Sequence, residues 1–223
     1  MTQSAAEALF RADDLTCRRG ERLVFQGLTF AVPAGGALFL LGPNGSGKSS
    51  LLRLLAGLLK QLTGTVTWAG EPLSSDREAH AGRLHYLGHQ DSLKNVLTVR
   101  ENLLFWARLH DPAVGDAKID AALAALSLAP LASLPAKLLS AGQRRRLALS
   151  RLLAAEAPLW LLDEPSVGLD IASVARLEEM IAAHRAGGGI VILSTHVDLK
   201  VPDAGQLFLD QFAPAVSTQE LWA

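Results

Sequence analysis

Short, unbroken apolar runs alternate along this chain with longer stretches in which apolar positions recur every three or four residues. The run at 37–41 (ALFLL) is bounded by glycines, the pattern of a strand buried on both faces, and 159–162 and 189–193 read the same way. Shorter β-prone runs lie at 23–25, 28–32, 65–68 and 84–87, with a turn at 33–36. The segment 99–109 places Val99, Leu103, Trp106 and Leu109 on one helical face. An alanine-rich helix is expected over 117–128, broken by Pro130 and Pro135. Others follow Ser140, with Leu147, Leu149, Leu152 and Leu153 apolar, and span 171–185. Strands alternating with helices predict an α/β protein with a mostly parallel sheet and a helical insertion between about residues 92 and 140.

Composition narrows the function. The 223 residues suit one large domain, and 49% hydrophobic against 19% charged residues provide for a core, which excludes disorder for most of the chain. A formal charge of −1, from 21 basic and 22 acidic residues, argues against nucleic acid as a partner. Mean hydropathy of +0.24 points to apolar surface kept for a partner. Cys17 is the single cysteine, so no intrachain disulfide forms and a reducing compartment is expected. The N-terminus lacks the order of a signal peptide, and no apolar run is long enough to span a membrane.

The chemistry begins where the first buried strand ends. Gly42-Pro43-Asn44-Gly45-Ser46-Gly47-Lys48-Ser49-Ser50 runs straight into a helical pattern. Glycines at these positions let successive backbone N–H groups curl around a phosphate, with the positive end of the helix behind them. Lys48 is suited to bridging the β- and γ-phosphates and the Ser49 hydroxyl to Mg²⁺. The strand at 159–162 delivers Asp163 and Glu164 at its carboxyl end, where such sheets hold ligands. Asp163 fits the Mg²⁺ shell, and Glu164 is the candidate to polarise an attacking water. These residues predict a nucleotide-binding protein.

Leu139-Ser140-Ala141-Gly142-Gln143, followed by three arginines, resembles the signature peptide of the ATP-binding-cassette (ABC) ATPases. The resemblance covers nearly the whole chain in the family's order, through the phosphate loop, Gln90, the signature, Asp163-Glu164, the segment 166–170 and His196. It implies a P-loop NTPase cassette with a RecA-like, mostly parallel core, an N-terminal antiparallel β part and a helical subdomain. The core would take residues 1–91 and 141–223 and the helical subdomain 92–140. The resemblance also implies ATP and Mg²⁺ as ligands, and two ATP molecules sandwiched head to tail between two copies of the chain. Ser140, Ala141, Gly142 and Gln143 would then face the phosphate loop of the second copy. Glu164 would act as general base and His196 as γ-phosphate switch. Gln90 would sense Mg²⁺ and water, and Asp170 would pair across the dimer. Helix capping by Ser140 is compatible with this role.

Two departures from the family pattern stand out. Ala141 replaces the usual glycine, and Arg18-Arg19-Gly20 stands where an adenine-stacking aromatic is usual, so either an arginine plane stacks instead or base recognition is loose. Segments 17–22, 86–90, 97–103 and 157–162 resemble the ATP-binding subunits of the haem exporter of cytochrome c maturation. That branch implies an integral-membrane partner subunit, further cytochrome c maturation membrane proteins beyond it, and a peripheral position on the cytoplasmic face of the bacterial inner membrane. The chain ends soon after His196, which suits a separate transporter subunit. Another exporter, or a soluble ABC ATPase of the iron–sulfur assembly type, is the alternative. Leu93, Val96, Leu97 and Phe105 are expected to supply a docking patch, with at least half of them closing the subdomain's own core. His85 and His89 read as ordinary strand and loop histidines rather than metal ligands. Cys17 reads as a small buried residue, and Trp68, Trp106, Trp160 and Trp222 as packing residues.

Overall fold

A computed structural model describes residues 8–214. Two sheets form the frame. The antiparallel one has the order β2-β1-β4-β5, from β1 (Ala8–Arg19), β2 (Arg22–Pro33), β4 (Thr63–Trp68) and β5 (Glu71–Pro72). The parallel one has the order β6-β7-β8-β3-β9, from β3 (Ala37–Leu41), β6 (Leu84–Leu87), β7 (Leu159–Asp163), β8 (Ile190–Ser194) and β9 (Gly205–Phe208). This is the expected α/β architecture, and β3, β7 and β8 lie at its centre.

Continuous apolar strands are what a doubly covered sheet requires, because side chains alternate between its faces. Leu159, Leu161, Ile190 and Ile192 face one core with Leu38 and Leu40. Trp160, Leu162, Val191 and Leu193 face the other. Helix α1 (Lys48–Leu55) fills the first core together with Phe10, Phe25 and Leu28 of the antiparallel sheet. Helices α3 (Val99–His110), α4 (Asp116–Ala125), α5 (Ala141–Ala154) and α6 (Ile171–Ala186) build the second. A short α2 (Arg77–Gly82) precedes β6. Among the described residues no helix is long and apolar enough to cross a membrane.

Helix starts follow capping chemistry. Thr98 and Glu101 form a reciprocal capping box at α3, and Ser140 and Gln143 another at α5. Asp170 caps α6 by accepting from the Ser173 N–H at 2.8 Å. Several elements differ from the sequence reading. The runs at 23–25 and 28–32 are one strand, β2, that passes through Gly27 at φ 71°. Strand β1 lies ahead of it, and β9 and α2 add to the rest.

The expected docking residues divide. Leu93 packs against the second core and Leu97 is half-buried, whereas Val96 is 86% and Phe105 40% exposed. Leu109, one helical turn beyond Phe105, is also exposed.

Candidate nucleotide site

Strand β3 ends at Leu41 and α1 begins at Lys48, so residues 42–47 must reverse the chain within a few ångströms of β2. Gly47 shows why glycine is needed. Its φ is 107°, and a Cβ there would stand 2.7 Å from Val24 Cγ1. Lys48 is buried and folds back over the loop, donating to the carbonyls of Gly42 at 2.7 Å and Pro43 at 3.1 Å. Ser46 Oγ is buried and makes no hydrogen bond, leaving a donor for an anion in the loop.

The loop opens on a cavity of about 830 Å³. Asn44, Gly45, Gly47, Lys48, Ser49 and Ser50 form its floor. Asp163, Glu164 and His196 come from the carboxyl ends of β7 and β8. Arg19, Gly20, Arg22 and Val24 of the β1–β2 hairpin also line it, as do His89 and Val167. Two arginines and a lysine thus share one cleft with two carboxylates, a charge pattern for a polyphosphate with a divalent cation.

Asp163 is 3% exposed, and its Oδ1 accepts from the Ser194 hydroxyl at 2.7 Å. The Glu164 N–H in turn donates to Ser194 Oγ and to the Ser194 carbonyl, both at 3.1 Å. Glu164 adopts φ 52°, a left-handed conformation that costs a non-glycine residue about 1–3 kcal/mol and is found at functional turns. That turn brings Glu164 Oε2 to 3.2 Å from the His196 N–H. His196 Nε2 lies 3.0 Å from Asn44 Oδ1 and 3.4 Å from Glu164 Oε1. Both neighbours accept, so Nε2 carries the proton. Asn44, Glu164 and His196 therefore form one network joining the phosphate loop to β7 and β8.

The other expected residues lie elsewhere. Gln90 has an exposed side chain, and its neighbour His89 occupies the cavity wall instead. Ser140 Oγ accepts from the Gln143 N–H at 3.3 Å, while Gln143 Oε1 accepts from the Ser140 N–H at 2.8 Å. Ser140 and Ala141 are exposed, and residues 140–143 are absent from the wall of this chain's cavity. Gly142 packs tightly, since a Cβ would stand 2.9 Å from the Gly168 carbonyl oxygen. Arg22, Val24, His89 and Val167 were not foreseen as site residues; the arginine-rich hairpin at 18–22 hinted at Arg22 alone.

The remaining candidates resolve into packing. Cys17 is fully buried and burial pushes its thiol up, against the weaker pull of Arg19. His85 Nε2 is engaged by the Ala155 carbonyl at 2.8 Å, and its ring stacks on His110 at 4.5 Å. Trp68 meets Phe10 edge-on, Trp106 lies under the Arg151 guanidinium, and Trp160 stacks on His184. Trp222 lies outside the described residues.

Comparison with known proteins gives the lineage. Residues 25–167, well over half of the chain, match the ABC transporter family. The protein from Paramagnetospirillum magneticum named cytochrome c biogenesis ATP-binding export protein CcmA is 60% identical over 212 residues, covering 94% of this chain and 98% of that protein. Its namesake from Rhodospirillum rubrum is 57% identical, covering 94% and 89%. Among solved structures, an ABC transporter ATP-binding protein from Pyrococcus furiosus superposes with a TM-score of 0.80 at 26% identity, covering 92% of this chain and 99% of its own. The chain belongs to the ABC transporter family and, within it, to the cytochrome c biogenesis ATP-binding export proteins.

Proposed function

We propose that this chain is the ATP-hydrolysing subunit of the haem exporter complex of c-type cytochrome biogenesis. One observation carries the enzymatic part of the reading: the phosphate loop, the Asp163-Glu164 pair and His196 converge on one cavity, through hydrogen bonds of 3.0–3.2 Å at Asn44 and Glu164. The phosphate loop, from Gly42 to Ser50, binds the triphosphate through backbone N–H groups, the Ser46 hydroxyl and Lys48. Ser49 and Asp163, both on the cavity wall, would supply hard oxygen donors to Mg²⁺. That ion would supply charge neutralisation to the bound triphosphate.

Glu164 takes a proton from the attacking water as the water oxygen bonds to the γ-phosphorus and the β–γ bridging P–O bond breaks, giving ADP and phosphate. His196, with its Nε2 proton, donates to the γ-phosphate oxygens and holds the Glu164 carboxylate in register. Residues 140–143 open α5 outside the chain's own cavity, with Ser140 and Ala141 exposed, which supports their service to a second copy's nucleotide. Two copies close on two ATP and reopen after hydrolysis, and the difference in binding free energy between those states is the mechanical output.

The exposed apolar side chains of Val96, Phe105 and Leu109 suit docking on a separate integral-membrane subunit at the cytoplasmic face of the inner membrane. Through it, turnover drives release of the haem-loaded periplasmic chaperone. The test is to recover Glu164→Gln protein from native membranes in the presence of ATP. Trapped closed dimer with an integral-membrane subunit of the cytochrome c maturation apparatus is the expected result. A soluble scaffold complex in its place removes the transporter, and normal turnover by Glu164→Gln removes the general base.

A further inference from the structure

Arg145 lies one turn into α5 and is 4% exposed, an unusual place for a guanidinium with a single carboxylate nearby. All five of its N–H groups are used. Nη2 donates to the carbonyls of Asp163 at 2.8 Å and Glu164 at 2.7 Å, and Nε to that of Pro165 at 3.2 Å. Nη1 donates to the Gly88 carbonyl and to Asp91 Oδ1, both at 3.1 Å. Three consecutive carbonyls on the turn that carries Glu164 are therefore gathered by one planar group. The other two bonds fix the loop after β6, which bears His89 and Gln90. Arg151, two turns further along α5, donates to the Asp91 and Ser92 carbonyls and holds the far end of the same loop.

Glu164 needs such a clamp. Its left-handed backbone, at φ 52°, is unfavourable for a side-chain-bearing residue, and in that conformation its carboxylate accepts from the His196 N–H. Carbonyls brought together at a reversed turn repel one another unless a shared donor lies between them. A guanidinium meets that need with fixed fork geometry, whereas a lysine ammonium has three donors and no plane. Arg145 also sits one turn from Ser140 and Gly142, so the same rigid helix joins the signature start to the Glu164 turn.

We propose that Arg145 is a positioning residue: it acts through Glu164, by holding the strained turn that aims this carboxylate, and it locks that turn to the loop at 88–91. The inference rests on the assignment of Glu164 as general base. Because Arg145 does not itself line the cavity and meets Asp163 and Glu164 only through their backbone carbonyls, its loss should spare nucleotide binding and slow the hydrolytic step.

The experiment compares full-length wild type, Arg145→Lys, Glu164→Gln and the double variant. ATP affinity is measured by equilibrium binding, and turnover is counted per ATP-binding chain so that unfolded protein does not contribute. Arg145→Lys is expected to lower kcat about tenfold or more with ATP affinity within about twofold of wild type. Combined with Glu164→Gln it should cause no further loss in single-turnover hydrolysis, because both changes remove the same contribution. Losses that multiply in the double variant, an unchanged kcat in Arg145→Lys, or a parallel fall in affinity each overturn the positioning role. Normal turnover in Glu164→Gln alone shows instead that the general-base assignment fails, and the positioning role with it. If Arg145→Lys yields no folded protein, Asp91→Asn replaces it: the amide keeps an acceptor but loses the charge, and kcat should fall by a smaller factor in the same direction. An unchanged kcat there is an adverse result.

Discussion

Ser194 contributes to the site through a single hydroxyl. It donates to Asp163 Oδ1 at 2.7 Å and accepts from the Glu164 N–H at 3.1 Å, so one oxygen sets the spacing of both carboxylate-bearing residues. Removing it in Ser194→Ala leaves an Asp163 oxygen, on a residue 3% exposed, without that donor. Such a loss costs about 1–3 kcal/mol, or several degrees in Tm for a domain of this size. A fall in kcat should accompany it, and thermal unfolding beside steady-state ATPase assays checks both. Retention of wild-type values in the two assays contradicts the role. The contrast with Lys48, Asp163 and Glu164 explains what was legible at this scale. Those residues stand in contiguous motifs whose spacing reflects their chemistry. Ser194 reaches Asp163 across 31 positions, and Arg145 reaches its partners mostly through backbone carbonyls, which every residue type possesses. Neither relation leaves a mark in the order of letters.

The start of α5 carries two roles on one side chain, and substitutions can separate them. Ser140 caps the helix through the Gln143 N–H. Ser140→Ala removes the cap at a cost of about 1 kcal/mol, whereas Ser140→Asp preserves it, since aspartate is as good an N-cap as serine. A carboxylate at a helix start that receives a phosphate, however, repels that phosphate. Ser140→Asp is therefore expected to keep the wild-type Tm and lose ATP turnover, measured by thermal melt and hydrolysis assay. Full turnover at an unchanged Tm confines Ser140 to capping. Helices α3 and α5 were legible because their capping residues and apolar faces agree. Strand β1 was not, and the cause is local. Its buried apolar residues run Phe10, Ala12, Leu15, Cys17, and the alternation slips by one where a bulge near Asp14 at φ 50° interrupts the pairing with β2. A bulge shifts every later side chain to the other parity, so a strict period of two fails across it. Strand β9 escaped for another reason: at the sheet edge, only Leu207 of its four residues is buried.

Across the whole molecule, the two-faced sheet has a consequence for pH. Covering both faces encloses histidines as well as leucines. Burial pushes His85 down from 6.5 to about 4, outweighing the hydrogen bond to Ala155, and burial lowers His184 and His80 as well. Each of these groups is neutral when folded and free to take a proton when unfolded. Between pH 6.5 and about 4 the unfolded chain therefore binds more protons at His85 than the folded one, and stability rises with pH through that window. Above 6.5 both states are neutral and the His85 contribution is complete; below about 4 both are charged and no more is lost. The sequence displayed these histidines without their environment, because His85 gains its partners from Ala155 and His110, on segments that meet it only after folding. His85→Gln keeps a donor for the Ala155 carbonyl and removes the titrating ring. Urea midpoints between pH 7.5 and 4.5 should fall for wild type, and His85→Gln should flatten the decline by about 1–3 kcal/mol. If the two curves run parallel through the window, the proton responsible is bound at another group, and the enclosure of His85 carries no energetic weight in acid.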